Sequence, residues 1–154
     1  MIQRIQSLYL LLSLICTGLF YFFPFGDIIT TEDSIIPLIV TGVRYTKNGD
    51  TVFYSLLPML IMISLINLIS LTSIFLYKRR MLQIRLNIFN IITQLGSIGM
   101  IFYYLSNAAK QIGVDYSTKI LIILPLVSAI FTFLAVRAIA KDEALVRSIS
   151  RLRK

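Results

Sequence analysis

Two long apolar runs, residues 54–77 and 84–105, are joined by a short basic hinge containing Lys78, Arg79 and Arg80. Each run suffices to cross a hydrocarbon core about 30 Å thick as a helix, which takes roughly 20 residues. So short a connection makes the two helices antiparallel neighbours. Two more apolar segments, residues 5–23 and 118–140, have similar lengths, and none of the four contains an acidic residue. The chain is 57% hydrophobic and 14% charged, against roughly 45–50% and about 25% in soluble domains. The expected fold is all-α: a single integral membrane domain of residues 1–154, built as a four-helix bundle. What remains is two outer loops (24–53 and 106–117), a cytoplasmic turn (78–83) and a cytoplasmic tail (141–154).

A net charge of +8 invites a nucleic-acid reading, but the distribution of the charge argues against it. Eleven of the fifteen basic residues are Arg4, Lys78, Arg79, Arg80, Arg85, Arg137, Lys141, Arg147, Arg151, Arg153 and Lys154. The other four lie in or beside the two outer loops, with five of the seven acids. This is the positive-inside pattern, which puts both termini and the hinge in the cytoplasm. Nucleic acid is not an expected partner. The basic surface suits anionic lipid headgroups, at about 1 kcal/mol per well-placed Lys or Arg.

The first run begins after Arg4 and ends in Phe20-Tyr21-Phe22-Phe23. No A-x-A-like cleavage site follows, so it reads as a retained span, not a signal peptide. Those aromatics, with Pro24 and Phe25, read as an interfacial belt and helix stop. Farther on, Asn48-Gly49 lies between short segments rich in β-branched and aromatic residues. This is a strong hairpin signal, and a two-residue loop sets Lys47 opposite Asp50 and Tyr45 opposite Val52. Pro58 fits the first turn of the second helix, and Pro125 near the start of the fourth allows a mild kink.

The inner faces of the hinged pair carry amides and hydroxyls at helical spacing: Ser64, Asn67 and Ser70 on one run, Asn87, Asn90, Gln94 and Ser97 on the next. Amides in hydrocarbon need hydrogen-bond partners, so this cluster should face the bundle interior. Depth counted from the hinge pairs Asn67 with Gln94 or Asn90. Gly96, Ser97 and Gly99 are small enough for close helix approach. The tail continues as an amphipathic helix, with Ile139, Leu145, Val146, Ile149 and Leu152 in one apolar stripe.

Enzyme chemistry finds no footing. There is no histidine and a single cysteine, Cys16, placed inside the first apolar run. There is no CxxC pair and no Gly-rich phosphate loop. Asp142 and Glu143 are adjacent on a helix and point about 100° apart, a poor acid–base pair. No catalytic residue, cofactor or metal ligand is expected, and the apolar segments lack the carboxylate of a proton-coupled exporter.

Three stretches carry a likeness to a known family: Met1-Ile2-Gln3-Arg4-Ile5-Gln6 with Tyr9-Leu10-Leu11-Leu12; Tyr77-Lys78-Arg79-Arg80-Met81-Leu82-Gln83-Ile84-Arg85; and Arg137-Ala138-Ile139 with Lys141-Asp142-Glu143-Ala144-Leu145-Val146-Arg147-Ser148 and Arg151-Leu152-Arg153. Together they resemble a bacterial family of small four-span membrane proteins catalogued as domain of unknown function 4293. The resemblance implies an inner-membrane protein and supplies no activity, substrate or site residues. Two functions fit. One is a non-catalytic assembly or scaffold protein whose basic cytoplasmic surface meets anionic lipid, a membrane-protein partner or a second copy. The other is a small channel or transporter subunit with a polar path lined by the intramembrane amides.

Overall fold

The computed structural model describes residues 2–29, 35–47, 50–112 and 115–152. It is mostly helical, with α1 (Ile2–Gly18), α2 (Leu57–Phe75), α3 (Arg80–Ile112) and α4 (Leu124–Leu152). Three helical segments among the described residues are long and apolar enough to cross a membrane: Leu57–Phe75, Arg80–Lys110 and Ile120–Val146. The apolar part of the first helix, Ile5–Tyr21, is shorter. The α2 helix has 19 residues, or ~28 Å at 1.5 Å per residue.

Each helix packs on two others, in the cyclic order α1–α2–α3–α4. Side-chain bonds fix the directions. Thr17 meets Asn67 while Tyr21 meets Ser64, so α1 and α2 are antiparallel. The same logic applies to Ser70–Asn90 with Ser73–Gln83, to Gln94–Thr132 with Arg80–Asp142, and to Ser13–Ser128 with Gln6–Asp142. The result is an up-down-up-down bundle. Its buried positions advance in steps of three and four: Gln6, Leu10, Ser13 and Thr17 on α1; Met59, Ile63, Ile66, Ser70 and Ser73 on α2; Gln83, Asn87, Asn90, Gln94, Ser97, Ile101 and Leu105 on α3; Ser128, Thr132, Ala135, Ile139 and Asp142 on α4. That spacing keeps one seam of each helix facing its neighbours.

The hinge is tighter than the sequence suggests. A 3-10 turn at Leu76–Lys78 runs into Arg79, whose N–H bonds to the Leu76 carbonyl at 2.9 Å, and α3 starts at Arg80. Pro58 stands in the first turn of α2, as expected. Since α4 begins at Leu124, Pro125 lies in its first turn and breaks no hydrogen-bond ladder.

At the opposite end the segments between the helices form more than a hairpin. The hairpin itself, β3 (Gly42–Lys47) with β4 (Asp50–Ser55), has the expected register, Lys47 against Asp50 and Tyr45 against Val52. Its Asn48-Gly49 turn lies outside the described residues. In addition, β1 (Gly26–Ile29) pairs antiparallel with both β2 (Ile35–Leu38) and β5 (Asp115–Thr118). The segment before α2 and the one after α3 are therefore joined through a three-stranded sheet, separate from the hairpin, and Lys119 Nζ reinforces it, 2.8 Å from Asp27 Oδ1. An all-α expectation missed this because the strands are four residues each and β5 comes from a distant loop. Pro37 sits in β2, an edge strand, where its missing N–H is tolerated.

Beneath the sheet lies an apolar core of Phe20, Phe25, Ile28, Leu38, Leu56, Met59, Ile63, Ile101 and Leu105. The expected aromatic belt is split accordingly. Phe22 and Phe23 are exposed, whereas Phe20 and Phe25 are buried with ring centroids 6.2 Å apart. Gly26 lies close against Leu105 and β5: a Cβ there would stand 2.5 Å from Leu105 Cδ2 and 3.2 Å from the Ser117 carbonyl oxygen.

Candidate functional site

Along α2 and α3 the buried stripe changes character, aliphatic near the sheet and polar toward the other end, while on α1 and α4 polar and apolar positions are mixed. The polar half centres on Gln94. Its Nε2 donates to Ser13 Oγ at 3.2 Å and Thr132 Oγ1 at 3.3 Å. Ser13 Oγ in turn lies 2.7 Å from Ser128 Oγ and 2.8 Å from Thr132 Oγ1. Three helices thus meet in one closed layer, and all four residues are fully buried. Thr17 Oγ1 donates to Asn67 Oδ1 at 2.7 Å, and Asn67 Nδ2 to the Ile63 carbonyl at 3.1 Å.

Asn67 therefore does not meet Gln94 or Asn90, contrary to the depth argument. It sits on the flank of α2 that faces α1, while the α2–α3 seam is occupied by Asn90 Nδ2 donating to Ser70 Oγ at 2.8 Å. Ser97 is buried and donates to the Gln94 carbonyl at 2.6 Å. Ser64 departs from the inward-facing expectation. It is exposed, 2.8 Å from the Tyr21 hydroxyl, and donates to the Leu60 carbonyl. Gly96 and Gly99 are also exposed; a Cβ on Gly99 would meet nothing within 4 Å, so it serves no close helix approach, whereas one on Gly96 would lie 3.4 Å from Met62 Cε on α2.

Asn87 stands apart. It is fully buried, yet among the described residues neither Nδ2 nor Oδ1 has a hydrogen-bond partner. Ser73 Oγ and Asn90 Oδ1 are likewise buried and unpartnered.

The end away from the sheet gathers the hinge, the start of α1 and the second half of α4. Arg79, Arg85, Arg137 and Lys141 are exposed there. Arg80 is half-buried, with Nη1 3.4 Å from the Asp142 carbonyl. Arg153 and Lys154, and the side chains of Arg4, Lys78, Arg147 and Arg151, lie outside the described residues. Among the described residues, grooves open at this end. One, of about 360 Å³, runs between α1 and α4, with Ile5, Tyr9, Leu134 and Ala138 as walls and Arg137 and Lys141 at its margin. Another, of about 570 Å³, lies between the start of α3 and α4, beside Arg79, Arg80 and Glu143.

Sequence reasoning overlooked Gln6 and Asp142. Asp142 is only 9% exposed, and its Oδ2 accepts from Gln6 Nε2 at 2.6 Å, clamping α1 to α4. It also overlooked Ser13, Thr17, Ser128 and Thr132. The three-and-four spacing already noticed on the middle helices, applied to the outer two, would have found all six. Among the described residues no three His, Cys, Asp or Glu side chains cluster as a metal site.

A family model described as Domain of unknown function (DUF4293) matches residues 2–152. No curated protein and no solved structure matches.

Proposed function

The chain belongs to the DUF4293 family, and from that premise we propose a non-catalytic bacterial inner-membrane protein that acts by assembly. Both termini and the α2–α3 hinge face the cytoplasm, and the basic end docks on anionic lipid headgroups. The observation that carries the reading is the inversion of polarity across the helices. Outward faces carry Ile61, Phe75, Ile92 and Phe133, each more than half exposed, while Gln94, Asn90, Ser13 and Thr132 are inside. Exposed apolar surface on this scale calls for lipid or a partner. Cations then gather at one end of the apolar zone, beside the groove between α1 and α4.

A path for solutes through the whole bundle has less support, because hydrogen bonds from three helices close the Gln94 layer. The docking reading is tested by native mass spectrometry of the protein released from nanodiscs containing phosphatidylglycerol and phosphatidylcholine. Preferential retention of phosphatidylglycerol, reduced several-fold in Arg137→Gln/Lys141→Gln, is the expected outcome. Equal retention of both lipids, or retention indifferent to the double substitution, contradicts it.

A further inference from the structure

Helix register places the unpartnered groups together. Asn90 on α3 bonds to Ser70 on α2, and Gln83 Nε2 bonds to the Ser73 carbonyl at 2.9 Å. On antiparallel helices, moving three residues forward from Ser70 and three back from Asn90 brings Ser73 level with Asn87. Ser73 Oγ, both amide atoms of Asn87 and Asn90 Oδ1 are the unsatisfied atoms of this patch, and all three residues are fully buried. Together they offer at least two N–H donors, a hydroxyl and two carbonyl acceptors. A buried water needs two to four such partners, and an amide left dry in an apolar interior is strongly disfavoured.

We propose that Ser73, Asn87 and Asn90 line an internal hydration site, holding ordered water inside the half of the bundle nearest the basic end. The occupant is water rather than a cation, because no carboxylate stands among the three. Exchange runs toward the basic end, where Gln83 and then Arg80 and Asp142 continue the polar route. The Gln94 layer blocks it in the other direction, since its side chains satisfy one another. The interior is thus a blind, wetted vestibule, and it exists whether or not lipid docks outside.

The test is cysteine reactivity in a Cys16→Ala background, with protein in nanodiscs and a small charged methanethiosulfonate reagent. Ser73→Cys is nearly isosteric and keeps the fold. It should react roughly ten-fold faster than Ser97→Cys beyond the Gln94 layer, since only a hydrated site lets a thiol ionise readily. Asn87→Cys should behave like Ser73→Cys, and Ile88→Cys on the outward face should stay unreactive. Equal slow rates at Ser73→Cys and Ser97→Cys overturn the hydration site. Fast reaction at Ile88→Cys counts instead against the membrane reading, and the ratio of Ser73→Cys to Ser97→Cys still decides the vestibule. On the unsubstituted chain, solid-state NMR should transfer polarisation from water to the Asn87 side-chain amide. An Asn87 amide as isolated from water as the Gln94 amide overturns the proposal independently.

Discussion

Gln94 and Asn67 are the same kind of signal in the sequence and do different work in the fold. Gln94 joins α3 to α1 and α4, yet Ser13 and Thr132 remain bonded to each other at 2.8 Å without it. Gln94→Leu should therefore cost only about 1–2 kcal/mol, the usual scale for hydrogen bonds between membrane helices. Reversible unfolding in detergent or bicelles measures it. Gln6 is a harsher case, because its removal leaves the buried Asp142 carboxylate without its amide donor. Gln6→Leu should cost about 1.5–3 kcal/mol. The double variant Gln6→Leu/Asp142→Leu should be the more stable of the two, since removing both partners leaves nothing unsatisfied. A double variant less stable than the single one would show that Asp142 contributes something beyond this bond.

At the level of elements, the β1–β5 pairing depends on Gly26 lying flat against Leu105. Gly26→Ala should destabilise by about 1–3 kcal/mol through overpacking, and Gly26→Ala/Leu105→Ala should lose less than the sum of the two single substitutions. Equilibrium unfolding of the three variants checks this. The helices were legible because hydrophobic run length, the Pro58 start and the basic hinge are local signals, and the β3–β4 register was legible because Asn48-Gly49 is one too. The three-stranded sheet was not, since Gly26–Ile29 and Asp115–Thr118 meet only once the bundle has brought the helix ends together. The site was read in part for a related reason. Spacing on one helix says which residues share a face, and so it found Asn87, Asn90 and Gln94. It does not say which neighbour each face meets, and so it sent Asn67 to α3 when its partner is Thr17 on α1.

For the whole molecule, polarity is arranged along the bundle axis as well as across it: a sheet over an aliphatic core at one end, cations around a polar interior at the other. This asymmetry gives the chain a direction, and the proposed function requires that direction to be fixed in a membrane with the basic end inside the cell. Because the hinge is anchored by Arg80 reaching the Asp142 carbonyl on α4, the tail and the hinge must lie on one side together. The decisive measurement is sidedness of labelling in intact bacteria, with single cysteines at Gly49 and Ser150 in a Cys16→Ala background and a membrane-impermeant maleimide. Once the outer membrane is opened, Gly49→Cys should label at once, and Ser150→Cys only after the inner membrane is breached. Labelling of both positions from the same side would contradict the four-helix membrane arrangement and the function built on it.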